Sequence, residues 1–187
     1  MEQQRATEIL AAWPEASREA AQLVVDAYGE PDLATTTELT WTNAGTWKRI
    51  VAQRAFWTHD FPAPHTDSVE TTVDYKVPPE LYSDIASFDG SVMLERTTGE
   101  ASARCHDEQA NRLALNLVHD IVTGAKDVSQ AREYYATEFL AGNGDGPTPY
   151  MDKLNFEPVA SAADPDQRVL SDAQLEDAKT ASADTTA

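Results

Sequence analysis

The sequence contains a single cysteine, Cys105, and only 14 lysine and arginine residues. One cysteine excludes an internal disulfide and a zinc site built from several cysteines. The basic residues form no cluster that could neutralise phosphates, so we do not expect direct binding to nucleic acid. No stretch approaches the ~20 apolar residues that span a bilayer, and residues 1–5 lead into no signal-peptide core. These absences predict a soluble, cytoplasmic protein with no membrane partner.

Negative charge is present in large excess. Asp and Glu number 32, five residues are lysine, and the formal net charge is −18. One interpretation is adaptation to molar salt, where carboxylates hold water and cations and a Debye length of ~3 Å screens their repulsion. The other is a surface made for a basic partner, including an acidic decoy that mimics nucleic acid. The even spread of acid and the scarcity of lysine favour the halophilic interpretation.

The length of 187 residues fits one domain with an appendage. We assign residues 1–156 to a single domain, which is long enough to bury a core without disulfides or metals. Residues 157–187 are rich in Ala, Ser, Asp and Thr and nearly free of large apolar side chains. Such a segment cannot bury enough surface to offset the entropy of ordering. We therefore predict an acidic disordered tail with a nascent helix at 171–179.

Alternating apolar residues between turns predict strands, and longer periodic segments between caps predict helices. The predicted strands are 39–42, 47–54, 68–77, 91–96 and 101–105. The predicted helices are 3–12, 17–28, 79–88, 108–123 and 129–140, with Ser17, Asp107 and Ser129 as caps. A three-residue loop with a bulge at Gly45 would place Trp41 opposite Trp47. The order predicts an α+β fold, with an antiparallel sheet of about five strands and helices packed on one face.

Histidine and aspartate are concentrated between Trp57 and Asp67, where His59, Asp60 and His65 also lie. Imidazole with carboxylate suits a transition metal, or a base with its orienting acid. The prolines between the histidines favour polyproline II, which would separate His59 from His65 by ~19 Å at ~3.1 Å per residue. The two can bind one ion only if the segment folds back, for example through a cis bond.

His65 and Asp67 form a better local pair because residues two apart share one face of a strand. Their parity matches Val69, Val73 and Val77, the apolar face of the predicted strand. One hypothesis is that they point an imidazole and a carboxylate into a pocket. The alternative is that they cap the strand and bond to loop backbone. Both alternatives stay open at this point.

Three further residues are candidates for ligand binding: Arg49, Asn116 and His119. Asn116 and His119 lie on the polar stripe of helix 108–123 and could face the same cavity as His65, or could belong to a solvated stripe. A semi-buried Arg49 needs a carboxylate, for which Glu95 is a candidate, or it packs its stem on tryptophan. Cys105 is interpreted as a buried structural thiol rather than a nucleophile paired with its neighbour His106.

Several short motifs resemble a family of uncharacterised bacterial and haloarchaeal proteins. The resemblance covers about residues 9–156 and implies an intact single domain, with no activity, cofactor or catalytic residue to transfer. The motifs are Trp13-Pro14-Glu15, Tyr28-Gly29-Glu30-Pro31, Trp47-Lys48-Arg49, Phe61-Pro62-Ala63-Pro64-His65-Thr66-Asp67, Val77-Pro78-Pro79-Glu80, Phe88-Asp89-Gly90-Ser91-Val92, Ser102-Ala103-Arg104-Cys105 and Asp120-Ile121-Val122-Thr123-Gly124.

Three functions are compatible with these observations. The first is a non-catalytic binding or accessory domain for a protein or small ligand, with an exposed aromatic patch near Trp41, Trp47, Phe56 and Trp57. The second is a metal-dependent hydrolase with His65, Asp67 and either His59 or His119 as ligands of a divalent ion. The third is the acidic decoy. The sequence requires no cofactor, leaves the oligomeric state open, and favours the binding domain because it lacks a strong catalytic motif.

Overall fold

The computed structural model describes residues 5–184, except Asp145 and Ser161. The helices are α1 (Ala6–Leu10), α2 (Glu15–Tyr28), α3 (Tyr82–Phe88), α4 (Glu108–Thr123), α5 (Val128–Gly142), α6 (Pro149–Asp152) and α7 (Asp172–Asp184), with a 3-10 turn at Pro79–Leu81. The strands are β1 (Leu33–Ala34), β2 (Glu38–Ala44), β3 (Trp47–His59), β4 (His65–Asp74), β5 (Val92–Glu95) and β6 (Glu100–Cys105). Over the described residues, no helix combines the length and the apolar composition that crossing a bilayer needs.

The strands form one antiparallel sheet in the order β1-β2-β3-β4-β6-β5. The α+β class and the antiparallel sheet are therefore confirmed. The sheet has six strands rather than about five because Leu33 and Ala34 pair with β2. Two residues are too short to show an alternating pattern, so the sequence gives no signal for β1.

The turn between β2 and β3 differs from the prediction. Ala44 pairs with Trp47, which leaves a two-residue loop of Gly45 and Thr46 with Gly45 at a φ of 60°. This shorter loop pairs Trp41 with Ile50. The predicted Trp41–Trp47 pair is wrong, because the length of a hairpin loop sets the register of both strands.

Helices α2 and α4 pack against the central strands and bury one face of the sheet. Alternate residues of β3, β4 and β6 point to this face, so their apolar side chains form the core, as Ile50, Val69, Val73 and Ala103 do. The apolar arc of α4 faces them with Leu113, Leu117 and Val118, each at most 1% exposed. The core thus fixes β4, whose first residues carry the candidate site.

Helix ends follow cap chemistry, with two corrections. Asp107 accepts a hydrogen bond from the backbone of Ala110, as predicted for the cap of α4. Helix α5 begins after Asp127, which forms a capping box with Gln130, so the predicted cap at Ser129 is wrong. Helix α2 begins at Glu15 after Pro14, and the predicted cap, Ser17, is buried, with its hydroxyl donating to the carbonyl of Arg54.

Backbone contacts continue beyond residue 156, where the predicted domain boundary lies. The N–H of Val159 donates to Asp74 O at 3.0 Å, and the N–H of Asp164 donates to Arg96 O at 3.1 Å. A side chain at Gly99 would lie 2.2 Å from the carbonyl carbon of Ala162. Helix α7 follows in the region where the sequence indicates a nascent helix, and its residues 172–180 are exposed.

Candidate metal centre

The β3–β4 hairpin brings His59 and His65 together. Strand β3 ends at His59, strand β4 begins at His65, and the two residues pair directly across the strands. The peptide bond between Phe61 and Pro62 is cis, and the two imidazole ring centres are 5.0 Å apart. The segment therefore folds back, which is the condition the sequence set for two ligands of one ion. A separation of ~19 Å, expected for polyproline II, is not found.

Asp67 completes a cluster of three groups, because it lies two residues along β4 on the same face as His65. Nδ1 of His59 is 3.3 Å from Oδ2 of Asp67, and Nε2 of His65 is 3.0 Å from Oδ1. One ligand atom from each of the three residues lies within 4.8 Å of the others. Two ligands held tetrahedrally at Zn–N distances of 2.0–2.1 Å are about 3.3 Å apart. The cluster, with ligand atoms up to 4.8 Å apart, is therefore wider than a coordination shell, and the side chains would have to move closer together to hold one ion.

Hydrogen bonding fixes the orientation of the His65 ring. Its Nδ1 lies 2.8 Å from the carbonyl oxygen of Ala63 and donates its proton there. This bond directs the other nitrogen, Nε2, toward Asp67 and Cys105. A histidine that donates one ring N–H to a backbone carbonyl presents the other nitrogen as a metal ligand.

The turn before β5 supplies a second layer around the cluster. The hydroxyl of Ser91 donates to Oδ2 of Asp67 and lies 3.1 Å from Nδ1 of His59. Asp89 accepts a hydrogen bond from the backbone of Ser91 at 2.8 Å, and its Oδ1 lies 3.8 Å from Nε2 of His59. The sequence analysis missed both residues, because Asp89-Gly90 indicates only a turn and nothing local reveals that this turn faces the start of β4.

Burial makes the two carboxylates unusual. Asp67 is 2% exposed and Asp89 is 3% exposed. Burial raises the pKa of Asp89 above its usual value. Burial acts in the same direction on Asp67, but His65 and Ser91 outweigh it and hold its pKa below the usual range. The buried Oδ1 of Asp67 has Nε2 of His65 3.0 Å away as its charged neighbour, although the alignment of that contact is poor. An ionised buried carboxylate needs a cation beside it, which is protonated His65 in the metal-free protein and would be the ion when one is bound.

The His65 imidazole responds to the same contacts. Its contact with the Asp67 carboxylate, followed by that with the Cys105 sulfur 3.3 Å away, raises the pKa of His65 to about 11. In the metal-free protein a proton on His65 therefore balances the Asp67 charge. Because a metal ligand must be neutral imidazole, a bound ion would take the place of that proton.

Cys105 lies beside the cluster as a buried thiol. It ends β6 opposite Val69, and burial raises the pKa of its thiol. The raised pKa disfavours the thiolate, the form that binds metals. This placement agrees with the interpretation of Cys105 as a buried structural thiol, and the contact of its sulfur is with His65 rather than with the neighbouring His106.

His119 lies at the other end of the domain. Its ring stacks on Phe156 with centres 5.0 Å apart, and its Nδ1 is 2.8 Å from the hydroxyl of Tyr75. Tyr75 follows the last residue of β4, whereas His65 begins that ten-residue strand. At ~3.3 Å per residue the backbone positions of His65 and Tyr75 are ~33 Å apart. The prediction that His119 shares a cavity with His65 is wrong, because α4 places His119 near the end of β4, whereas His65 lies at its beginning.

Asn116 is also placed away from the cluster. Its amide donates to the carbonyls of Tyr150 and Lys153, and its oxygen accepts from the backbone of Asn155. Asn116 is 1% exposed and holds the segment after α6 against α4. Its predicted place beside His65 is therefore wrong, and its polar atoms satisfy backbone groups of a neighbouring turn.

Arg49 pairs with Glu100 rather than with Glu95. Its Nη2 lies 2.9 Å from Oε2 of Glu100, and Lys48 approaches the same carboxylate at 2.9 Å. The sheet register explains the partner. Arg49 lies opposite Thr72 on β4, and Asp74, two residues further along the same face of β4, lies opposite Glu100 on β6. Arg49 thus belongs to an ion-pair network separate from the histidine cluster.

The predicted aromatic patch is present only in part. Trp41 and Trp47 are 3% and 1% exposed and belong to the core. Phe56 and Trp57 are 43% and 44% exposed, in the stretch of β3 where the register with β4 shifts. The guanidinium of Arg104 lies 4.2 Å from the centre of the Trp57 ring and covers part of that ring.

A cavity of about 250 Å³ adjoins the cluster. His65 and Cys105 form its wall on the sheet side, and residues at the beginning of α4, along α5 and in α6 form the rest. His65 therefore belongs both to the cluster and to a cavity, so a group bound in this space would lie beside the candidate ligands.

No family model, curated protein or solved structure matches the chain. The resemblance to an uncharacterised family stays a prediction.

Proposed function

We propose that the protein is a metal-dependent hydrolase in which His59, His65 and Asp67 hold one divalent transition-metal ion. The observation that carries the proposal is the convergence of these three ligand atoms within 4.8 Å of one another. Two imidazoles and one carboxylate form a donor set that suits zinc, iron or manganese.

Three protein ligands fit a catalytic site better than a structural one. Structural zinc sites are closed by four protein ligands, whereas catalytic sites hold three and leave a position for water. An ion at this position would lower the pKa of bound water to about 7, which supplies a nucleophile at neutral pH. The protein's own contribution is to fix the ligands and to keep Asp67 ionised beside them.

The surrounding hydrogen bonds favour the same function. Ser91 donates to Asp67, Ala63 accepts from His65, and Asp89 lies behind His59. Asp67 and His65 therefore each have an outer hydrogen-bond partner of the kind that orients ligands, and Asp89 is a nearby carboxylate 3.8 Å from His59.

The alternatives have weaker support. A non-catalytic binding domain remains the hypothesis that the sequence favours, but half of its expected aromatic patch is buried. The decoy hypothesis has no observation beyond net acidity.

We place the enzyme in the cytoplasm of a cell with high internal salt, because of its charge of −18 and its single buried cysteine.

Metal content tests the proposal. Protein purified in molar KCl without chelator is expected to carry about one equivalent of zinc, manganese or iron by plasma mass spectrometry. The His65→Ala variant is expected to lose it, because a three-ligand site with one ligand removed no longer holds the ion. His119→Ala is the matched control, since it removes an imidazole far from the cluster, and it is expected to keep the metal.

Loss of His65 also removes the nearest cationic partner of the buried Asp67 carboxylate and leaves only Ser91 and His59 beside it, so this variant is expected to be less stable. His59→Ala is therefore measured in parallel, and circular dichroism confirms which variants are folded. Wild-type protein free of metal after reconstitution, or equal metal in wild type and in both folded ligand variants, would reject the proposal.

A further inference from the structure

The cavity beside His65 has a size and composition that restrict what it can bind. Its volume is about 250 Å³. An apolar cavity of about 150 Å³ accommodates benzene, so this one has room for a single ring or a short branched chain. It is smaller than most pockets for drug-sized ligands, which are about 300–1,000 Å³. The part of a ligand that lies inside it is therefore small.

The lining is apolar where the cavity meets α5 and α6. Tyr135 and Phe139 from α5, Met151 from α6 and Ala110 from α4 contribute aromatic, thioether and methyl surface. Tyr135 is 2% exposed and is packed against Phe61 and Phe88, which holds its ring in place. A rigid apolar wall favours an apolar group over a polar one, because the group is removed from water.

Charge excludes another class of ligand. None of the described residues around the cavity is lysine or arginine, whereas Asp107 is among them. The carboxylate of Asp107 caps α4 by accepting from Ala110. Phosphate and carboxylate groups are bound in proteins mostly by arginine and lysine, and the chain carries a charge of −18. An anionic substituent would therefore be repelled where it lies beside Asp107, whereas the side of the cavity formed by His65 and the proposed ion is not negative.

We infer that this cavity is the substrate pocket and that it takes a small, neutral, apolar group attached to the carbonyl of an ester or amide. The inference rests on the proposed function, because His65 belongs both to the cluster and to the lining of the cavity. In the reaction the water oxygen adds to the carbonyl carbon, the bond to the leaving group breaks, and a proton from the water leaves with that group.

Hydroxamic acids test the pocket without knowledge of the substrate, since they chelate a metal ion and carry one variable substituent. Zinc-loaded wild type is expected to bind benzohydroxamic acid at least about tenfold more tightly than acetohydroxamic acid, because the ring buries apolar area in the cavity. 4-Carboxybenzohydroxamic acid is expected to lose that advantage. Affinities are measured by titration calorimetry, after metal content has been determined on the same sample.

The Ala110→Leu variant narrows the cavity without altering a candidate ligand. It is expected to keep zinc and to bind acetohydroxamic acid as wild type does, while the preference for the ring disappears. Ala136→Leu is the matched control, because Ala136 lies on α5 but outside the cavity lining. Equal affinity for the three acids in zinc-loaded wild type would reject the inference about the pocket and leave the proposed function standing. A preference for the ring that persists in Ala110→Leu would do the same. Wild type that holds no zinc overturns the proposed function, and the pocket with it.

Discussion

The Asp67→Asn variant is expected to lose metal binding while retaining its fold. An amide has nearly the shape of the carboxylate, so the hydrogen bond from Ser91 and the packing at the start of β4 are kept. The charge and one ligand oxygen are lost. We expect metal affinity to fall by at least about 100-fold, beyond the 10- to 100-fold that removal of an outer partner typically costs. Competition with a fluorescent zinc chelator measures the change.

The same variant changes the titration of His65 in metal-free protein. The carboxylate of Asp67 is the first cause of the His65 pKa of about 11, so the pKa of His65 is expected to fall in the variant. The pKa of His65 is higher in the folded than in the unfolded protein. His65 therefore contributes its full stabilisation below pH ~6.5, and this contribution is lost as the pH rises toward 11. Wild type should therefore lose stability across that window more steeply than Asp67→Asn.

Arg49→Gln is the control for both measurements. It removes a charge from the separate network with Glu100 and leaves the cluster intact. Metal affinity and the His65 titration, followed by NMR of the imidazole protons, are expected to match wild type. An Asp67→Asn protein that still binds metal as wild type does would show that Asp67 is not a ligand.

Salt is expected to change stability strongly. The melting temperature should rise by at least about 10 °C between 0.1 and 2 M KCl, which for a chain of this length corresponds to several kcal/mol. Repulsion within a net charge of −18 opposes the compact state, and a shorter Debye length removes that repulsion. Differential scanning calorimetry in stepped KCl measures the effect.

A charge variant separates screening from other effects of salt. Glu8, Glu19 and Glu133 lie exposed on α1, α2 and α5. Changing all three to glutamine is expected to raise stability at 0.1 M KCl and to flatten the dependence on salt. Melting that stays constant from 0.1 to 2 M KCl in the wild-type protein would contradict the halophilic interpretation.

Much of the fold follows from local sequence signals. The alternation from Val69 to Val73 predicts the central strand, and Asp107 and Gly124 bound the longest helix as their cap chemistry requires. The errors arise where two local signals compete. Asp127 rather than Ser129 caps α5, and a two-residue loop at Gly45 fits the strand twist better than a three-residue one.

The site was predictable only within its own strand. The spacing of His65 and Asp67 shows that both face the core, since this depends on strand periodicity alone. Whether His59 joins them depends on the path of the proline segment, and that path is a tertiary property. Asp89 and Ser91 come from a distant turn, and His119 is excluded only by the direction of α4. No spacing in the sequence carries these long-range relations.

The most direct measurement of the central claim is anomalous diffraction from crystals grown with zinc, recorded on both sides of the zinc absorption edge. The account predicts one strong anomalous peak about 2.0–2.2 Å from a nitrogen of His59, Nε2 of His65 and an oxygen of Asp67, with water as the remaining ligand. Zinc bound at full occupancy elsewhere, while the three side chains keep their contacts without an ion, would contradict it.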